Sequence, residues 1–247
     1  MHNNVDVLIP ARAGSIGLPG KNRINLVDRS LFLHSVACAT RIDGVKRVFV
    51  STDDSVLASE AISAGAFVPE LRPPHLAAND TPMVDVIQYA VGLLQAEGSA
   101  SDDFFLLLDP TSPLRDPAAI NSAIEQIRLT PEFDGFVSVS VPSFNPLWVG
   151  VIFGKDGKVC RHPAMPGVYT RRQEVPDYWR INGSFYGWKN EHARTIEPDW
   201  LDRGTFLGIE TPELMSHSID TIEDFKLVEA LLTSQAVSLS WMENSSE

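Results

Sequence analysis

Val5 to Ile9 is a brief run of Val, Leu and Ile around one Asp, closed by Pro10 and followed at once by an unusual loop. That loop, Ala11-Arg12-Ala13-Gly14-Ser15-Ile16-Gly17-Leu18-Pro19-Gly20-Lys21-Asn22, carries three glycines, one arginine and one lysine. A short, Val/Ile/Leu-rich run bounded by proline reads as a buried first strand. In an open α/β sheet, ligands collect outside the carboxyl ends of the strands. Gly14, Gly17 and Gly20 let backbone approach a polyphosphate, and Arg12 and Lys21 bring positive charge. Gly20-Lys21-Asn22 lacks the hydroxyl that ends a Walker loop, and no Gly-x-Gly-x-x-Gly is present. An ordinary glycine-rich surface loop is the plainer alternative for such a composition.

The rest of the chain alternates strand-like and helix-like segments, the pattern of a mostly parallel, layered α/β sheet. Strands are predicted at Arg47 to Ser51, Ala66 to Val68, Phe104 to Leu108, Gly135 to Val141 and Asn182 to Trp188. Phe104 to Leu108 is wholly apolar, as expected of a central strand covered on both faces. Helices are predicted at Leu31 to Thr40, Asp54 to Ala64, Met83 to Gln95, Pro117 to Arg128 and Thr221 to Leu232. The last opens on a Thr221/Asp224 capping box. Between 142 and 179 prolines and glycines break the pattern, so this stretch is expected as an excursion from one domain spanning 1–247. Asn244 to Glu247 is expected to fray.

A formal charge of −12 argues against non-specific nucleic-acid binding, which needs a basic face. No run approaches the roughly 20 apolar residues of a membrane helix, and the start lacks a signal-peptide pattern. Cys38 and Cys160 suggest neither a disulfide framework nor a zinc site. A cytoplasmic protein is the expectation.

The order Ile9-Pro10-Ala11-Arg12-x-Gly14-Ser15-x-Gly17-x-Pro19-Gly20-Lys21-Asn22 resembles the signature loop of the acylneuraminate cytidylyltransferases, the CMP-sialic acid synthetase family. Further blocks follow in the family's order. They are Ser51-Thr52-Asp53-Asp54, Leu71-Arg72-Pro73-Pro74-His75-Leu76-Ala77 and Asp109-Pro110-Thr111-Ser112-Pro113-Leu114-Arg115, then Arg180-Ile181-Asn182-Gly183-Ser184-Phe185-Tyr186 and Ile219-Asp220-Thr221. The resemblance implies a nucleotidyltransferase (Rossmann-like) fold with helices on both faces of the sheet. It implies that the hydroxyl of a 2-keto sugar acid attacks the α-phosphate of CTP, giving a CMP-sugar and pyrophosphate. It also implies Mg2+ or Mn2+ and a homodimer built through the excursion, with Trp148, Tyr169, Tyr178 and Trp179 as interface candidates.

By the same resemblance Arg12 and Lys21 hold the triphosphate and carry catalysis, with Ala11, Gly14, Ser15, Asn22 and Asp80 in the nucleotide set. Arg72 lines the nucleobase pocket. Asp109, Thr111, Ser112, Arg172, Gln173, Arg180 and Asn182 match positions that hold the sugar acid or its surroundings. An arginine fork suits a carboxylate. Ser51, Thr52 and Asp53 end the second strand and face the crevice. Asp53 stands open between capping the next helix and touching ligand.

Four departures matter. Ile16 replaces a lysine, Asp109 a glutamine, and Ser218-Ile219-Asp220 an Asp-x-Asp cation motif. Pro82-Met83-Val84 replaces a serine-bearing segment that helps recognise cytosine. Asp220 alone is a thin magnesium site, so Asp109 is expected either to share the cation or to meet a sugar substituent. Arg23 is a candidate replacement for the charge lost at Ile16. A nucleotidyltransferase with another base or sugar, and a nucleotide-binding paralogue without catalysis, are the competing readings.

Overall fold

The computed structural model describes residues 4–99, 104–161 and 169–242. In chain order the elements begin with β1 (Val5–Pro10), β2 (Asn25–Leu26), β3 (Arg29–Ser30), α1 (Leu31–Ala39), β4 (Val45–Ser51), α2 (Ser55–Ser63), α3 (Met83–Ala96) and β5 (Phe104–Leu107). Then come α4 (Pro117–Leu129), β6 (Gly135–Ser140), α5 (Pro146–Val149), β7 (Val151–Phe153), β8 (Val159–Arg161) and β9 (Arg180–Lys189). The last are α6 (Asn190–Ala193), α7 (Trp200–Arg203), β10 (Phe206–Glu210) and α8 (Ile222–Thr233).

Six strands form one sheet in the order β10-β6-β9-β5-β1-β4. Every pairing is parallel except the two made by β9, which runs antiparallel between β6 and β5. Alternation along the central strands sends side chains to two cores. Val7 and Ile9 of β1 and Leu106 of β5 join the core covered by α1, α2, α4 and α8. Leu8, Phe105 and Leu107 join the opposite core, beneath α3 and α6. Helices therefore cover both faces, as the continuous apolar runs of β1 and β5 require.

Local chemistry sets the helix starts. Asp54 accepts from the amides of Val56 (2.9 Å) and Leu57 (3.4 Å) and caps α2, a contact worth about 1 kcal/mol. Thr221 and Asp224 form the expected capping box on α8.

Three expectations need correction or extension. Ala66 to Val68 makes only one bridge, Phe67 to Phe49, because Pro69 follows immediately and cannot donate to a ladder. β10 was not expected. Its Phe-Leu-Gly-Ile-Glu run is short and half-exposed, and it becomes an edge strand only through parallel pairing with β6. The excursion leaves the sheet and makes a hairpin, β7 with β8, as a sheet of its own. Pro163, Pro166 and Asn244–Glu247 lie outside the described residues. No helix among the described residues is long and apolar enough to cross a membrane.

Candidate active site

The carboxyl ends of β1 and β5 open onto a crevice of about 230 Å³, while Ser51 and Thr52 at the end of β4, expected to face it, are buried and do not line it. Arg12, Gly14, Ser15, Lys21 and Asn22 line it from the β1 loop, and Arg72 lines it as well. Asp109 and Thr111 line it from the β5 loop, with Leu76, Met83 and Val86 supplying an apolar wall.

Long-range bonds hold the loop. The Lys21 ammonium, nearly buried at 12% side-chain exposure, donates to the Ile219 carbonyl and to Asp220 Oδ1, each at 2.9 Å. Arg12 Nη1 donates to the Ala78 carbonyl at 2.8 Å. Asn22 Nδ2 donates to the Arg12 carbonyl at 2.9 Å, while its buried Oδ1 meets no protein donor. Gly17 is required by contact, since a Cβ there would stand 2.3 Å from the Asp220 carbonyl. Gly20 sits at φ +66°, where a side chain is strained.

Arg72 is buried, donating from Nε to Ser51 Oγ (2.9 Å) and from Nη2 to the Ser51 carbonyl (2.6 Å). Burial and the neighbouring Arg12 charge push its pKa down to about 10, while Asp53 favours the charged form. It therefore stays protonated at neutral pH.

Asp109 Oδ1 accepts from the Thr111 amide at 2.9 Å, and the Ile219 amide donates to the Thr111 carbonyl at 2.7 Å. The β5 loop and the Asp220 segment thus lie side by side. Among the described residues no three His, Cys, Asp or Glu side chains converge on a metal site. Asp109 lines the crevice, whereas Asp220 does not and its Oδ1 is paired with Lys21; two carboxylates are a donor number that magnesium uses beside substrate phosphates and water.

Other expected site residues lie elsewhere. Ala11 is buried and donates its amide to the Ser51 carbonyl at 2.9 Å. Asp80 is exposed beside the crevice, whose lining its neighbours Asn79 and Thr81 join. Ser112 is buried, 3.6 Å from where a Gly183 Cβ would stand. Asn182 is buried in a network, accepting from Ser138 Oγ (2.6 Å) and the Ser184 amide (3.1 Å) and donating to Thr211 Oγ1 (2.7 Å). Arg180 pairs with Glu213 at 3.1 Å and donates to Ser216 Oγ at 2.7 Å. Burial pushes the Glu213 carboxyl up, but hydrogen bonds from Ser140, Arg180 and Ser216 together outweigh it and hold it low. Arg172 and Gln173 are exposed on a single 3₁₀ turn of the excursion.

Arg23 does not replace the missing lysine: its guanidinium pairs with Asp54 at the cap of α2. Ile16 itself is 75% exposed. Asp53 neither caps α2 nor lines the crevice; its Oδ1 accepts from the Ala13 amide at 2.8 Å. Tyr186, which sequence reasoning left without a role, has a hydroxyl 3.9 Å from where a Gly183 Cβ would stand. Burial, then the Asp109 charge, raises its pKa. Glu213 was also unforeseen, because nothing local marks a carboxylate 33 residues away as the partner of Arg180.

Residues 7–145 match the family model described as cytidylyltransferase. The CMP-N,N'-diacetyllegionaminic acid synthase of Legionella pneumophila is 34% identical over 234 residues, covering 91% of this chain and 94% of that protein. The pseudaminic acid cytidylyltransferase of Campylobacter jejuni is 23% identical over 91% of this chain and 94% of its own. A solved CMP:2-keto-3-deoxy-manno-octonic acid synthetase complexed with CTP superposes with a TM-score of 0.68 at 21% identity, covering 94% of this chain and 99% of that one. That likeness establishes a shared fold. Every residue lining the crevice lies inside the matched stretch, and the alignment with the Legionella synthase runs nearly end to end: the chain belongs to the cytidylyltransferase family.

Proposed function

We propose that this chain transfers CMP from CTP to a 2-keto nonulosonic acid of the legionaminic, sialic or pseudaminic type. The sugar hydroxyl oxygen bonds to the α-phosphorus, the α–β bridging bond breaks, and pyrophosphate leaves. The observation that carries this reading is the near end-to-end match to a CMP-N,N'-diacetyllegionaminic acid synthase. The crevice agrees, being lined by two cations of the β1 loop, by Arg72 and by an apolar wall.

Such a displacement asks for charge neutralisation and alignment more than covalent chemistry. Arg12 grips phosphate oxygens as a fork and Lys21 as a point charge. Gly14 and Ser15 add donors along the loop. Arg72, anchored on Ser51, borders the base between Leu76 and Met83. Asp220 and Asp109 would hold Mg2+ or Mn2+, which neutralises charge on the phosphates when bound. The direct bond between the Thr111 and Ile219 segments supports that pairing. If Asp109→Asn binds Mg·CTP like wild type, Asp109 belongs instead to a sugar substituent.

Arg172 and Gln173 on the excursion, with Arg180 and Asn182, serve the sugar acid. The β7–β8 hairpin of the same excursion exposes Val151, Phe153 and Val159, with Phe153 79% exposed, as expected of a face that a second copy of the chain covers. A cytoplasmic homodimer using cytoplasmic CTP completes the reading.

The test is pyrophosphate release by purified protein with magnesium, crossing CTP, UTP, GTP and ATP with legionaminic, sialic, pseudaminic and 3-deoxy-octulosonic acids. Release with CTP and one nine-carbon acid is the expected outcome. Release with another base, or silence throughout while CTP still binds, sinks it.

A further inference from the structure

We propose that Asp53 is a positioning residue for nucleotidyl transfer, its carboxylate holding the phosphate loop in place through a hydrogen bond to the Ala13 amide. The inference rests on the function proposed above.

Two aspartates follow β4, and they have separate duties. Asp54 takes the whole cap of α2 and the guanidinium of Arg23. Asp53 is left to reach across to the β1 loop, where its Oδ1 receives the Ala13 amide at 2.8 Å. Ala13 sits between Arg12 and Gly14, so this bond fixes backbone on both sides of the first phosphate-facing residues.

The same strand end also carries the base side of the crevice. The Ser51 carbonyl accepts from the Ala11 amide at 2.9 Å and from Arg72 Nη2 at 2.6 Å. The Thr52 carbonyl accepts from the Arg72 amide at 2.7 Å. Three consecutive residues, the last of β4 and the two that follow it (Ser51 to Asp53), therefore tie both the phosphate loop and Arg72 to one short segment.

The charge of Asp53 points the same way. A carboxylate near a triphosphate site repels the ligand, so it is tolerable there only for another benefit. Asparagine at this position keeps an acceptor for Ala13 and drops the repulsion. Alanine drops both.

CTP affinity by calorimetry, with amide exchange across residues 11–15, separates the possibilities. Asp53→Ala is expected to bind CTP about tenfold more weakly, the scale of one hydrogen bond to a charged group. Its Ala13 amide should exchange faster, and its KM for the sugar acid should stay unchanged. Asp53→Asn is expected to bind CTP at least as tightly as wild type, with Ala13 still protected. Equal CTP affinity in wild type and Asp53→Ala overturns the proposal. So does a loss in Asp53→Asn as large as in Asp53→Ala, which would assign the effect to charge. Wild type gives a check that needs no variant: an Ala13 amide exchanging at free-loop rates without nucleotide also overturns it. If another nucleotide binds in place of CTP, the functional reading fails, yet the same comparison runs with that nucleotide.

Discussion

On the nucleotide side of the crevice, Arg12, Lys21 and Arg72 stand on loops braced by bonds to Ala78, Ile219, Asp220 and Ser51, and they line a formed cavity. On the acceptor side, Arg180 is paired with Glu213 and Asn182 is spent on Ser138, Ser184 and Thr211, while Arg172 and Gln173 stand exposed on the excursion. One half is preorganised within a single chain. The other is polar and well knit, but its free donors sit on a projection with an uncovered apolar face. The difference agrees with the proposed homodimer, in which a second copy would complete the sugar half.

The largest effect should come from the braced half. Lys21→Met removes a phosphate cation and the tie to Asp220 together, so kcat/KM is expected to fall about 100- to 1,000-fold in the pyrophosphate assay. A loss under tenfold would mean that the braced loop is not where phosphate is handled. Phe153→Asp puts a charge on the exposed hairpin. Sedimentation should then show monomer, sugar-acid turnover should collapse, and CTP affinity should hold. Full turnover by that monomer would show the acceptor half complete in one chain.

Arg172→Ala sharpens the contrast on a smaller scale. Its KM for the sugar acid should rise roughly tenfold, the value of one guanidinium–carboxylate contact, with CTP binding unchanged. An equal loss in CTP affinity would erase the boundary between the halves. The smallest effect is a gain. Ile16 is exposed and Arg23 is committed to Asp54, so Ile16→Lys adds a cation nothing else supplies. CTP KM should fall roughly threefold, and more at low salt because an exposed charge is screened.

What could be read from the chain was local. The Val5–Pro10 strand, the glycine loop, the Met83 helix and the Thr221 cap each follow from neighbouring residues, whose spacing and turn chemistry act within a few positions. That Arg12 and Lys21 line one crevice was legible for the same reason, since both sit in the glycine loop that follows β1. β10 was not legible, because five half-exposed residues become a strand only when β6 offers its edge. Nor did any local signal show that Asp53 would serve Ala13, 40 residues away, or that Glu213 would neutralise Arg180.

The sequence by itself determined the class of fold and the kind of loop, because backbone preference and apolar periodicity are short-range. Only the tertiary structure decided which charges face the crevice and which are consumed within the protein. Lys21 meets Asp220 across 199 positions, and Arg72 meets Ser51 across 21. An ion pair or buried hydrogen bond is strong only where folding has removed water and fixed both partners, and no stretch of chain states that in advance.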